Sequence, residues 1–251
     1  MPQSFSIPIS RRDLLKLAGL TAAGVMLSGG GDGSSEVEAA EKNSGETIKY
    51  AGKKIPVLYD VDVCVCGGGP SGTAAAINAA RKGAKVVLLE RGVALGGMAV
   101  IGCVYPFMET HAPNSDTPYV AEIKQRLREK GIEPFDGVTQ QVWHNPEILA
   151  LIYDEMCEES GVNILYETVL VDALISGKKI TAAIIQTIAG LAAVRAKVFI
   201  DSTGDAYLAR HTGVEYERGY EKTGNNQPMS FRFEMGGIDI EKVYQYVVVE
   251  L

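Results

Sequence analysis

A chain of 251 residues, 46% apolar and 22% charged, has the make-up of an ordinary globular protein, with room for one large domain or one domain and part of another. A net charge of −7 and a pI near 5.1 exclude the basic stripe by which proteins hold nucleic acid. Four scattered cysteines with no C-x-x-C pair exclude a disulfide scaffold and a zinc or thiol-exchange motif.

Residues 1–45 read as an address and a linker. An apolar run over 17–27, broken by Gly19 and Gly24, is shorter than the about 20 residues of a membrane span and suits the core of a signal peptide. Ser10-Arg11-Arg12-Asp13-Leu14-Leu15-Lys16 resembles the twin-arginine export signal, with Leu14 where that signal prefers phenylalanine. An ordinary amphipathic start or a general secretory signal is the alternative. The resemblance implies passage through the twin-arginine machinery to a periplasmic or extracytoplasmic location. Leu27-Ser28-Gly29-Gly30 has the outline of a lipobox without its cysteine, so lipidation is not expected; Val37-Glu38-Ala39 is a candidate cleavage site. Residues 28–45 have the Gly/Ser/Glu composition of a flexible linker.

Residues 47–57 lead in as a short strand at a sheet edge. Val61, Val63 and Val65 then alternate with Asp62, Cys64 and Cys66, a pattern for a buried parallel strand with both cysteines as small core residues on one side. The strand ends at Gly67-Gly68-Gly69-Pro70-Ser71-Gly72, which fits G-x-G-x-x-G. Gly67 makes the tight turn, Gly69 lets a pyrophosphate approach the backbone, and Gly72 lets helix and strand pack closely. A helix over 71–82, rich in alanine and ended by Gly83, presents its amides and positive dipole end to that phosphate. Val86-Val87-Leu88-Leu89 is the second strand, and Glu90, eighteen residues beyond Gly72, stands where an acid binds ribose hydroxyls. A glycine-rich segment follows over 91–102. It is either a surface against which a cofactor presses or a connecting loop.

Two helices are predicted over 117–130 and 145–160, each opened by a proline at its first position and closed by Gly131 or Gly161. The first carries Tyr119, Val120, Ile123 and Leu127 on its apolar stripe and Lys124 on its polar side. The second carries Ile148, Leu149, Ile152, Met156 and Cys157. Residues 162–171 read as the next parallel strand. Turns at Ser176-Gly177 and Ala189-Gly190 divide 173–196 into a three-stranded antiparallel meander. Val198-Phe199-Ile200 returns to the sheet and ends at Asp201-Ser202-Thr203-Gly204-Asp205, a second strand-to-glycine-to-helix junction.

The order of these parts resembles the two-dinucleotide-binding, glutathione-reductase-like flavoproteins, and among them the FAD-dependent oxidoreductases related to fumarate reductase flavoproteins. Residues 67–83 fit their longer fingerprint; Leu95-Gly96-Gly97-Met98 looks like their second glycine pair, beside the flavin; Val169 matches the position that meets adenine. Thr203, Gly204 and Asp205 match their late motif near the pyrophosphate, and the ensemble includes Glu215–Gly219 and Gln227–Phe233. The likeness implies an α/β, Rossmann-like FAD-binding domain over 57–220, and the beginning of a capping substrate domain over 221–251. Its cofactor would be non-covalent FAD, held by Gly67, Gly69, Pro70, Ser71, Gly72, Glu90, Arg91, Gly96, Gly97, Met98, Val169, Thr203, Gly204 and Asp205. No histidine adjoins Gly96-Gly97, so a histidyl-flavin bond is not expected. Members of the group are usually longer, and the likeness implies a truncated or split product ending inside the cap.

FAD would carry a hydride to or from a small organic substrate, with an electron-transfer partner. His111, His144 and Arg218 are candidates for the companion proton, although packing or capping is the simpler role for His144 and a solvated loop for Arg218. Cys103 is a candidate redox thiol or a buried one. No residue is assigned to catalysis. A nicotinamide dehydrogenase on the same sheet and a non-catalytic remnant of the FAD domain are the competing readings, and Glu90 serves FAD and NAD alike.

Overall fold

The computed structural model describes residues 46–107, 117–132, 142–233 and 235–246. The expectations for residues 1–45 and for His111 lie outside the described residues.

Strand β1 (Thr47–Tyr50) turns at Ala51-Gly52, both at positive φ, into the long β2 (Lys53–Cys66). The lead-in is thus a short edge strand as expected, paired with β2 alone in an antiparallel hairpin, Tyr50 opposite Lys53, whose turn falls inside 47–57. Helix α1 (Pro70–Arg81) and strand β3 (Val86–Leu89) follow. A short 3₁₀ turn at Gly97–Ala99 leads to the two-residue strand β4 (Pro106–Phe107). Then come α2 (Pro118–Glu129), β5 (Val142–Trp143) and α3 (Pro146–Ser160). Strands β6 (Asn163–Leu165), β7 (Val169–Ser176), β8 (Lys179–Thr187) and β9 (Gly190–Asp201) complete the sheet.

Helices α1, α2 and α3 each begin with proline in the first turn. Thr117 caps α2 by accepting from the Val120 amide, and Asn145 caps α3 by accepting from the Ile148 amide. Glycines at positive φ end them as expected: Gly83, Gly131 and Gly161. Within α2, Ile123 and Leu127 are buried, but so is Lys124, which the polar stripe placed in solvent. A lysine can bury its stem along apolar neighbours, so charge alone does not put a helical position outside.

The sheet runs β6-β3-β2-β9-β8-β7, parallel through β9 and antiparallel across the meander. Residues 162–171 are not one strand. β6 ends at Leu165 beside β3, and β7 starts at Val169 on the opposite edge of the order, with Glu167 at φ 48° between them. A link of that length reaches about 15 Å at 3.8 Å per residue, whereas crossing a flat sheet of six strands takes about 24 Å. The sheet therefore bends along β2 and β9, and the meander folds over one face of the parallel strands. The core confirms three layers. Val86 and Leu88 pack with α1, α2 and α3 through Ile77, Ile123 and Ile152, while Val87 and Leu89 face Leu170, Ala173 and Ile185 of the meander. Strand β9 serves both sheets in one stretch, since its first half pairs with β8 and the rest with β2. The third meander strand and the return strand are thus a single element.

After Asp201 the chain does not enter an α-helix; a 3₁₀ turn at Ala209–Thr212 follows instead. Beyond it the described residues are irregular and exposed until α4 (Ile240–Tyr244), with one hydrogen-bonded turn between Tyr220 and Asn225, and Met229, Phe231 and Phe233 stand in solvent. Among the described residues no helix is long and apolar enough to cross a membrane.

Candidate cofactor site

Four main-chain hydrogen bonds gather the expected segments at the carboxyl edge of the parallel strands. The Gly67 amide donates to the Leu89 carbonyl (2.8 Å), and the Ser202 amide to Cys66 (2.8 Å). The Gly96 amide donates to Gly68 (2.8 Å), and the Thr168 amide to Glu90 (2.9 Å). Residues 67–72, 90–98, 168–169 and 201–205, separate in sequence, thus meet at one corner.

Each fingerprint glycine has a physical reason there. Gly67 sits at φ 102°, where a side chain would collide with the Ser202 carbonyl. At Gly72 a methyl group would run into the Gly67 carbonyl oxygen, which is the close helix-to-strand approach the motif requires. Gly69 differs: its φ is −68°, and a methyl group would meet nothing within 4 Å. The open volume in front of Gly69 is the space an incoming phosphate needs.

The helix behind it could hold an anion. Gly69 is the N-cap of α1, no side chain caps it, and no acid lies in its first turn. Pro70 has no amide hydrogen, and the first helical bond runs from the Thr73 amide to the Gly69 carbonyl (2.9 Å). The Ser71 and Gly72 amides are left as orphan donors at the positive end of the dipole. Helices α2 and α3 fill the same need with Thr117 and Asn145, so α1 alone among them awaits an external acceptor. Thr73 anchors this turn from inside: its hydroxyl lies 3.1 Å from the Gly69 carbonyl and accepts from the Tyr119 hydroxyl at 3.0 Å.

Glu90 is 6% exposed at the end of β3 and faces the glycine corner. Its carboxylate accepts from the Gly68 amide (2.8 Å) and the Gly92 amide (2.6 Å), tying the first turn to the next segment. Each oxygen keeps a lone pair for a ribose hydroxyl. Arg91 is exposed beside it, and Val169, an apolar residue left 49% exposed, follows the Thr168 contact.

Gly96-Gly97 is more than a connection. A methyl group on Gly97 would lie 3.1 Å from the Gly69 Cα, so the second glycine pair is pressed against the first, with Met98 65% exposed at its edge. At the third junction, Asp201 is an organiser of the loop. It accepts from the Thr203 amide (3.0 Å), the Thr203 hydroxyl (2.7 Å) and the Ala209 amide (2.8 Å). Thr203 therefore spends its hydroxyl within the loop, while Gly204 and Asp205 are exposed.

Of the proton-transfer candidates, Arg218 is exposed in the irregular region after the 3₁₀ turn. His144 is buried, its imidazole 2.9 Å from the Ala99 carbonyl, and the α3 cap is Asn145 rather than His144. Cys103 lies in the loop after Met98, and its carbonyl accepts from Arg232 at 3.3 Å, a contact with the far end of the chain that spacing could not reveal. Cys64 and Cys66 are buried with their sulfurs 4.0 Å apart; that contact and burial push the Cys64 thiol well above its ordinary range, as suits inert core thiols.

A glycine corner, an uncapped helix N-terminus and an acid at the next strand end define a dinucleotide-binding protein. The family model of FAD-dependent oxidoreductases matches residues 62–250, and the chain belongs to that family. This separates FAD from the nicotinamide alternative that Glu90 leaves open. The cofactor of the family is FAD, and the open face of Gly69 and the orphan amides of α1 fit its pyrophosphate.

The chain is 33% identical over 164 residues to a thiamine thiazole synthase of Methanococcus maripaludis, covering 62% of this chain and 60% of that one. It is 39% identical over 93 residues to digoxin reductase of Eggerthella lenta, covering 36% and 17%. It thus spans about 60% of the length of the first of these relatives. Among solved structures, the geranylgeranyl bacteriochlorophyll reductase-like protein of Thermoplasma acidophilum superposes at a TM-score of 0.47 and 18% identity, over 62% of this chain and 43% of that one.

Proposed function

We propose that the chain is an exported FAD-dependent oxidoreductase, related to fumarate reductase flavoproteins, that moves a hydride through non-covalent FAD on a small organic substrate. The supporting observation is the α1 N-terminus, with its orphan amides and the open face of Gly69, where residues 67–72, 90–98, 168–169 and 201–205 converge. Flavin N5 supplies the hydride chemistry when FAD is bound. Ser71 and Gly72 would donate to the pyrophosphate, Glu90 would hold the adenosine ribose and the backbone of Val169 would meet the adenine. Gly96, Gly97 and Met98 set the edge against which the isoalloxazine rests, and Gly204-Asp205 closes the phosphate side. An electron-transfer partner completes the cycle.

The full chain purified with FAD is expected to be yellow, with visible flavin absorbance, and to release that flavin to the supernatant on acid precipitation. A colourless protein that takes up no FAD supports the non-catalytic remnant. Flavin retained in the pellet overturns the non-covalent reading.

Export rests on Arg11 and Arg12. Replacing both by lysine is expected to leave the precursor in the cytoplasm, seen by fractionation. Unchanged export would exclude the twin-arginine machinery as the route.

A further inference from the structure

The segment carrying Gly96 and Gly97 is fastened at one end by the Gly96 amide on the Gly68 carbonyl. At its other end it is held by a side chain from a distant part of the sequence. His144, 7% exposed between β5 and α3, places Nε2 2.9 Å from the Ala99 carbonyl, and its own amide donates to the Tyr105 carbonyl at 3.3 Å. A carbonyl only accepts, so Nε2 carries the proton and Nδ1 carries the lone pair. That Nδ1 is buried and has no hydrogen-bond partner among the described residues. The ring packs against Tyr105 and Phe107, with centroids 6.0 and 5.0 Å away.

We propose that His144 is the positioning residue of the flavin-side loop: as a neutral imidazole it clamps Ala99, and a second proton opens the loop and weakens the hold on FAD. The proposal rests on the FAD reading but concerns a group that touches no cofactor. A proton on Nδ1 would be an unsatisfied donor on a buried charge, which disfavours the closed loop relative to an open one that lets water reach the ring. Burial accordingly holds His144 below its ordinary value of 6.5, outweighing the Ala99 carbonyl, which pulls the other way. Among the described residues, the titratable and charged groups on the adjoining elements are Tyr105 and Cys103 in the loop, Arg232 on the Cys103 carbonyl, Tyr153 of α3 beside Gly96 and the exposed Glu147 in the first turn of α3, and none of them contributes to the shift.

The sign follows from linkage. The closed loop binds fewer protons than the open one, so closure is complete above about pH 6.5 and is lost as pH falls from there through the lowered value. Within that window the FAD dissociation constant should rise by up to about tenfold per pH unit, then level off.

The test uses the full chain. FAD is titrated by fluorescence from pH 8 to 5 with wild type and with His144→Gln, whose amide keeps a donor near the Nε2 position but takes up no proton. Wild type should lose affinity below pH 6.5, and His144→Gln should match it within about threefold at pH 8 and stay flat below. The same slope in both, or a flat wild type, overturns the proposal. Hydrogen exchange on the cofactor-free wild type gives a second readout. The Ile101 and Gly102 amides, which donate to the Gly97 carbonyl at 2.8 and 3.1 Å, should lose protection as the His144 ring titrates by NMR. Protection that ignores that titration overturns the clamp whether or not FAD binds, whereas absent FAD binding at every pH strikes only the cofactor reading.

Discussion

Gly69→Ala should leave the cofactor-free fold within about 1 kcal/mol of wild type and lower FAD affinity at least tenfold, whereas Gly72→Ala should fail at the level of the fold. The contrast comes from what surrounds each Cα. At Gly69 the backbone is one alanine adopts without strain, and the new methyl group enters open volume. That volume is where a pyrophosphate must touch main chain, so the methyl displaces the ligand and nothing else. At Gly72 the methyl would overlap the Gly67 carbonyl, with Ser202 Cβ 3.3 Å away on the same side. The first obstacle is backbone and the second a Cβ fixed directly to backbone, both held by hydrogen bonds to neighbouring strands, so α1 must lift off the sheet. Overpacking of this sort costs about 1–3 kcal/mol or more. Gly83→Ala is the control: φ is 88° and the space is open, so about 1 kcal/mol is expected. Thermal unfolding of the three cofactor-free variants, followed by FAD titration of those that fold, checks the order. Equal losses of stability at Gly69 and Gly72 would contradict the proposed division of labour.

The same comparison shows why so much of this corner could be read from residue order. Local rules act within a few residues: a glycine turn, a proline-opened helix, a hairpin at Ser176-Gly177. Helices and meander alike follow from them. The parts that escaped depend on contacts between distant segments. Nothing in 162–171 announces that the chain breaks at Glu167, because the break is set by the Glu167 and Thr168 amides reaching back to the Gly92 and Glu90 carbonyls. The burial of Lys124, the fastening of Ala99 by His144 and the approach of Arg232 to Cys103 are of the same kind. The glycine segment after Glu90 was ambiguous for a related reason. Whether it is a cofactor surface or a connector depends on its bond to Gly68, and hydrogen-bond partners across a gap of that size leave no periodicity.

Glu90 joins the local and the distant kinds of contact, and replacing it should have the other large effect. Its two oxygens satisfy two main-chain donors, the Gly68 and Gly92 amides, in a position only 6% exposed. Glu90→Gln offers one acceptor and turns an amide group toward the other donor, leaving a buried N–H unpaired at a cost of about 1–3 kcal/mol. Glu90→Leu leaves both unpaired and adds bulk next to Leu95, so it should cost about 3–5 kcal/mol and leave little folded protein at 37 °C. For FAD the loss is compounded, because the side chain that would hold the ribose is also the one that sets the Gly68 turn. The two roles separate by linkage: a ligand that binds only the native state raises stability by an amount set by its concentration over its dissociation constant. If Glu90 served the turn alone, saturating FAD would stabilise folded Glu90→Gln by as much as it stabilises wild type. The increment should instead shrink by about 1.4 kcal/mol or more, a tenfold loss of affinity, and an unchanged increment would remove Glu90 from the ribose.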